Sequence, residues 1–113
     1  NRGILIPAKV TGENSLENKD LGTINGNFIK HYPKGSNVQL LLQPEDLEHD
    51  DKSNLKLEVV DRKFRGTNFI YTLKTSSDLL IPVFVHSHHE HQHEADEKFG
   101  IKRPIHIDHI VCF

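Results

Sequence analysis

The sequence predicts an all-β protein, a small barrel of six to eight short antiparallel strands, and three features of the chain carry that expectation. Short runs of Val, Ile, Leu, Phe and Tyr recur with the period-two alternation of half-buried strands. Gly, Pro, Asn, Asp and Ser punctuate these runs at turn-like spacing. No segment sustains the 3.6-residue periodicity of an amphipathic helix. At 113 residues, residues 1–113 read as one domain with one core, in the manner of a five-stranded, partly open β-barrel.

Taken in order, Ile4 to Val10 is the first apolar run; Pro7 inside it lacks an amide donor and predicts an edge strand or a strand entry. Thr11 to Asp20 reads as a polar turn. Leu21 to Ile24 and Asn27 to Ile29 flank Asn25-Gly26, a dipeptide tolerant of positive φ, so a hairpin is expected there. Tyr32-Pro33-Lys34-Gly35 turns the chain into Val38 to Gln43, which is apolar enough for a central strand. Pro44 to Leu47 suits a single helical turn, with proline first and carboxylates at the positive end. Glu48-His49-Asp50-Asp51 reads as loop.

Leu55, Leu57 and Val59 alternate with Lys56 and Glu58 along a strand reaching Phe64. Gly66-Thr67-Asn68 turns it back, and Phe69, Tyr71 and Leu73 form the core-facing set of an antiparallel partner. After Ser76-Ser77-Asp78, Leu79 to Val85 makes a further strand, where Pro82 fits if its missing donor faces solvent or a bulge. Residues 86–98 are polar and histidine-rich and read as an exposed loop. Ile105 and Ile107 alternate with His106 and Asp108 before Ile110-Val111-Cys112-Phe113 closes the chain.

Composition limits the function classes. The formal net charge is -2 with 27% charged residues, so no basic excess points to nucleic acid and no acidic tail to disorder. Arg62, Lys63, Phe64 and Arg65 beside Phe69 and Tyr71 imitate a nucleic-acid surface. Alternation instead assigns Phe69 and Tyr71 to the core beside a solvated basic edge. The single cysteine, Cys112, excludes an intramolecular disulfide framework and suits a reducing compartment. No apolar run approaches the roughly 18 residues of a membrane span. The absence of methionine predicts a fragment or processed product of a longer protein.

The densest candidate for chemistry is His86, His88, His89, His91 and His93, with Glu90 and Glu94 among them. Neutral imidazoles suit Zn, Cu, Ni or Fe. A solvated loop that takes up metal weakly is the plainer expectation, since its ligands would have to be ordered on binding. His106 and Asp108 would share one strand face, with His109 pointing toward the core; they would extend a metal site, though a surface His-Asp pair beside a partly buried, hydrogen-bonded His109 is the plainer expectation. His49-Asp50-Asp51 offers a further imidazole-carboxylate set in what otherwise reads as a solvated turn. No catalytic residue is expected: Ser87 has no group placed to orient a base, and Cys112 sits in an apolar strand. No Gly-x-x-x-x-Gly-Lys-[Ser/Thr] run is present to cradle a nucleotide.

Leu41-Leu42-Gln43-Pro44-Glu45-Asp46-Leu47 resembles the signature opening the last barrel segment of TOBE, the accessory domain at the C-terminus of ABC-importer ATP-binding subunits. His49-Asp50-Asp51, Ser53, Leu55-Lys56, Val59, Phe64-Arg65-Gly66, Phe69, Tyr71-Thr72-Leu73, Ser87-His88-His89, His91, Gly100-Ile101, Asp108-His109, Val111 and Phe113 are similar to one branch of it. That branch is the ATP-binding subunits of ferric-iron-type importers. Family members usually carry Arg where this chain has Gln43, and Ser-Gly where it has Ser77-Asp78.

The resemblance implies an OB-like barrel of TOBE type and a C-terminal regulatory domain whose ATPase domain lies elsewhere in a longer chain. It implies a cytoplasmic protein, peripheral to the inner membrane, that pairs with a second copy and reaches permease subunits through its parent. ATP and Mg are implied for the parent and none for this segment; nucleic acid is not an expected partner. The alternative is a free-standing module that binds a metal ion or small oxyanion through its histidine-rich loop.

Overall fold

The computed structural model describes residues 3–86 and 98–113. Nine strands and no helix are found among them: β1 (Ile4–Gly12), β2 (Ser15–Asn18), β3 (Gly22–Phe28), β4 (Asn37–Leu42), β5 (Lys56–Arg65), β6 (Asn68–Lys74), β7 (Leu80–His86), β8 (Lys98–Gly100) and β9 (Ile105–Ile110). The all-β class is as expected. The chain divides into two compact units, Gly3–Leu42 with Pro104–Phe113, and Gln43–Arg103.

The first unit holds a five-stranded sheet in the order β4-β1-β2-β3-β9. Its two outer strands meet: Leu40 and Cys112 form an antiparallel bridge. Gln39 N–H donates to Phe113 O at 3.0 Å, Phe113 N–H to Gln39 O at 2.9 Å and Leu41 N–H to Val111 O at 2.9 Å. The sheet thus closes into a small OB-like barrel and hides its edges. Ile6, Leu16, Ile24, Leu40 and Leu42 point inward and are fully buried. Every pairing is antiparallel except β3 with β9, which is parallel.

Three local expectations are corrected in this unit. Pro7 does not make β1 an edge: the strand pairs with β4 on one side and β2 on the other. Pro7 O accepts from Asn18 Nδ2 at 2.8 Å, and its nitrogen faces the same flank, where the β2 ladder begins only at Lys9↔Glu17. No ladder bond is lost there. Asn25-Gly26 is not a hairpin turn, because β3 runs straight through it. A Cβ on Gly26 would stand 1.8 Å from Ile107 O, so the glycine serves the close approach of β9 at a register shift. The polar stretch from Thr11 contains β2, whose Asn18 is buried and accepts from Asp20 N–H at 2.8 Å and Leu21 N–H at 2.9 Å.

The second unit is a four-stranded antiparallel sheet in the order β7-β6-β5-β8. The expected β5–β6 pairing is present, from Val59↔Leu73 to Arg65↔Asn68. Pro82 lies on the edge strand β7, whose outer flank is marked by Phe84 N–H donating to Pro44 O at 3.0 Å. Two residues away, the proline nitrogen faces the same outer side and removes no bond to β6. Val59, Tyr71, Leu73, Ile81, Val83 and Phe99 fill the covered face, with the Tyr71 and Phe99 rings 5.3 Å apart.

Candidate functional site

The signature residues of the second unit turn out to hold backbone in place. Gln43 to Asp46 is a β-turn, not a helical turn: Asp46 N–H donates to Gln43 O at 3.0 Å and Asp46 Oδ2 accepts from Gln43 N–H at 2.7 Å. Pro44 occupies the second turn position, where its fixed φ favours the reversal. Residue 43 is thus held through its backbone N–H and C=O. Burial pushes the Asp46 carboxyl above its ordinary value, and the Glu45 charge adds to the rise while the Gln43 hydrogen bond opposes it.

His49, Asp50 and Gly100-Ile101 are one construction. Lys102 N–H donates to Glu48 O at 2.8 Å, Asp50 N–H donates to Gly100 O at 2.9 Å, and His49 bridges Ile101. A Cβ at residue 100 would lie 2.0 Å from Asp50 O, which accounts for the glycine. The His49 ring is 4.5 Å from Phe99, and its Nε2 lies 2.7 Å from Asp51 Oδ1. Asp50 Oδ1 accepts from Lys52 N–H at 3.0 Å, an Asx turn that starts the way back to β5. Arg65-Gly66 opens the β5–β6 turn, with Gly66 at φ +74°, a conformation that suits glycine.

Of the histidine-rich candidates, His88, His89, His91 and His93 lie outside the described residues. His86 ends β7, its backbone opposite Asn68. His106 and Asp108 do share a face in the first unit, with His106 Nε2 3.0 Å from Asp108 Oδ1, both side chains exposed. His109 does not turn toward the core. The shift in register that pairs Gly26 with Ile107 and Asn27 with His109 leaves Asp108 as an extra residue and turns Ile110 inward, with His109 exposed. Among the described residues no three His, Cys, Asp or Glu side chains gather as a metal-holding set. Burial pushes the Cys112 thiol up, which keeps it protonated and unreactive near neutrality.

Two surfaces escape a reading by alternation alone. A cleft of about 450 Å³ in the first unit is lined by Asn14, Ser15, Asn25, Gly26, Asn27 and His106. In the second unit, Glu45, Leu47, Glu48, Asn68 and Phe84 line a groove of about 460 Å³. The groove joins residues on both sides of β5, so local sequence patterns give no sign of it. No helix of the described residues is long and apolar enough to cross a membrane.

The fold defines an all-β protein with a small OB-like barrel. No family model and no curated protein matches the chain.

Proposed function

We propose that this chain is the C-terminal TOBE-type accessory domain of an ABC-importer ATP-binding subunit of the ferric-iron branch, a regulatory module that pairs with a second copy. Iron would be cargo of the parent transporter, and ATP with Mg would be held by the parent's nucleotide-binding domain. This reading puts the module on the cytoplasmic face of the inner membrane, in contact with permease subunits through the rest of the subunit. The observation that carries it is the joint use of the signature residues. Gln43 to Asp46 form one tight turn, and His49-Asp50 meets Gly100-Ile101 across a gap in sequence. Residues that carry a resemblance and also interlock in space support common descent better than scattered identities do. The reading is tested on the coding sequence upstream of Asn1. A Walker A run followed by an ABC ATPase core is expected, and an open reading frame without one would overturn it.

A further inference from the structure

The second unit carries two surfaces of opposite character side by side. The first is a prong, the tip of the β5–β6 hairpin, where Lys63, Phe64 and Arg65 are all exposed and Phe64 keeps 60% of its surface in solvent. Its ring is supported by Phe69, 5.1 Å away, while the Arg62 guanidinium lies 5.3 Å above the Phe69 ring. These contacts hold the apolar ring in a presented position, while Lys63 and Arg65, alternating with Phe64 along β5, set two cations on the other face of the same tip. The second is the groove, with apolar Leu47 and Phe84 in its lining and the exposed carboxylates Glu45 and Glu48 beside them. Asn68 belongs to both, since it lines the groove and is the cross-strand partner of Arg65.

We propose that prong and groove together form a two-fold self-association site, in which Lys63-Phe64-Arg65 of one copy enters the groove of a second copy and the reverse contact forms at the same time. The pieces match in kind: an exposed phenyl ring meets apolar lining, and two cations meet two carboxylates. They also match in placement, because complementary halves adjoining at Asn68 let one two-fold axis seat both prongs, the geometry of an isologous, closed dimer. Glu48 is free to change partner, since its contact with Lys102 is 3.8 Å between exposed side chains, a loosely held pair. The acidic neighbours Glu45 and Glu48 repel a polyanion, so a second copy suits the prong better than nucleic acid does. This inference rests on the pairing part of the function proposed above and not on its importer part.

The test is sedimentation of the chain at low and high salt, with circular dichroism confirming that each variant is folded. The wild type is expected to dimerise, less tightly at high salt. Lys63→Glu/Arg65→Glu and Glu45→Lys/Glu48→Lys should each weaken the dimer about tenfold or more, and an equimolar mixture of the two should restore it as a heterodimer. Phe64→Ser should weaken it as well at every salt concentration. A wild-type dimer that neither charge reversal disturbs would overturn the prong-and-groove site while leaving pairing intact. A chain monomeric up to about millimolar concentration would overturn pairing itself. Binding of a single-stranded oligonucleotide that Lys63→Glu/Arg65→Glu abolishes, without any dimer, would give the prong to nucleic acid and end the proposal.

Discussion

Replacing Gly26 with alanine tests the account of the barrel at its tightest point. The added Cβ would stand 1.8 Å from Ile107 O, where 3.0 Å is already closer than such atoms approach. Strand β9 must therefore retreat from β3 by more than an ångström. Hydrogen bonds near 2.9 Å do not survive that retreat. Two or three lost ladder bonds at about 1 kcal/mol each, with about 1–3 kcal/mol of overpacking strain, give a destabilisation of about 3–6 kcal/mol. Amide hydrogen exchange on β3 and β9, followed by NMR, reads this locally and does not require the two units to unfold together. Gly35→Ala is the control: its φ is +93° but nothing lies within 4 Å of its added Cβ, so only backbone strain of about 1–2 kcal/mol is expected. If Gly26→Ala leaves the protection of β3 and β9 within about 1 kcal/mol of wild type, the close approach assigned to this glycine is wrong.

Further outcomes follow from single contacts. Asp78 holds φ +66°, a conformation that suits glycine, so Asp78→Gly should raise stability by up to about 1 kcal/mol in urea unfolding; a loss larger than that would show that its 3.9 Å contact with Lys74 outweighs the strain. Asn18→Ala leaves Pro7 O and the Asp20 and Leu21 amides without their partner and should cost about 2–4 kcal/mol, whereas a cost below about 0.5 kcal/mol would refute its structural role. Burial raises the Asp46 carboxyl above 3.8, so this group favours the fold most below that pH and loses the contribution as pH rises through its folded value. Relative to wild type, Asp46→Asn should therefore gain stability from acid to neutral pH, and a decline over the same range would reverse the assignment. Cys112, with its thiol pushed up, should react with iodoacetamide at neutral pH more slowly than a free cysteine peptide; an equal or faster rate would contradict its burial.

Sequence reasoning reached the strands whose apolar residues alternate. Leu57 and Val59 with Tyr71 and Leu73 lie buried on neighbouring strands as their spacing requires. It failed where a strand is polar or a local rule meets a tertiary exception. Strand β2 has one apolar residue, Leu16, and is held by the hydrogen bonds of Asn18, which leave no periodic trace. Asn25-Gly26 satisfies the chemistry of a tight turn, yet the glycine answers a strand that arrives from the other end of the sequence. The orientation of His109 depended on a bulge, and an extra residue in a ladder is invisible to strict alternation. At the site, the sequence named the signature residues but not their work, because the Gln43 to Asp46 and Asp50 to Gly100 bonds run through the backbone.

The parallel pairing of β3 with β9 joins Ile24 to Ile105, a span of about 80 residues whose closure carries an entropic penalty of about 4 kcal/mol. The β1–β2 and β2–β3 pairings of the first unit lie on one side of that gap and do not shorten it. The chain between β4 and β9 contains β5, β6 and β7, neighbours in sequence that pair through short turns and are suited to form early. Once they have formed, the effective span shortens and the barrel can shut. The second unit would then set the folding rate of the first: lesions in the β5–β6 hairpin should slow closure of a barrel to which they contribute no strand.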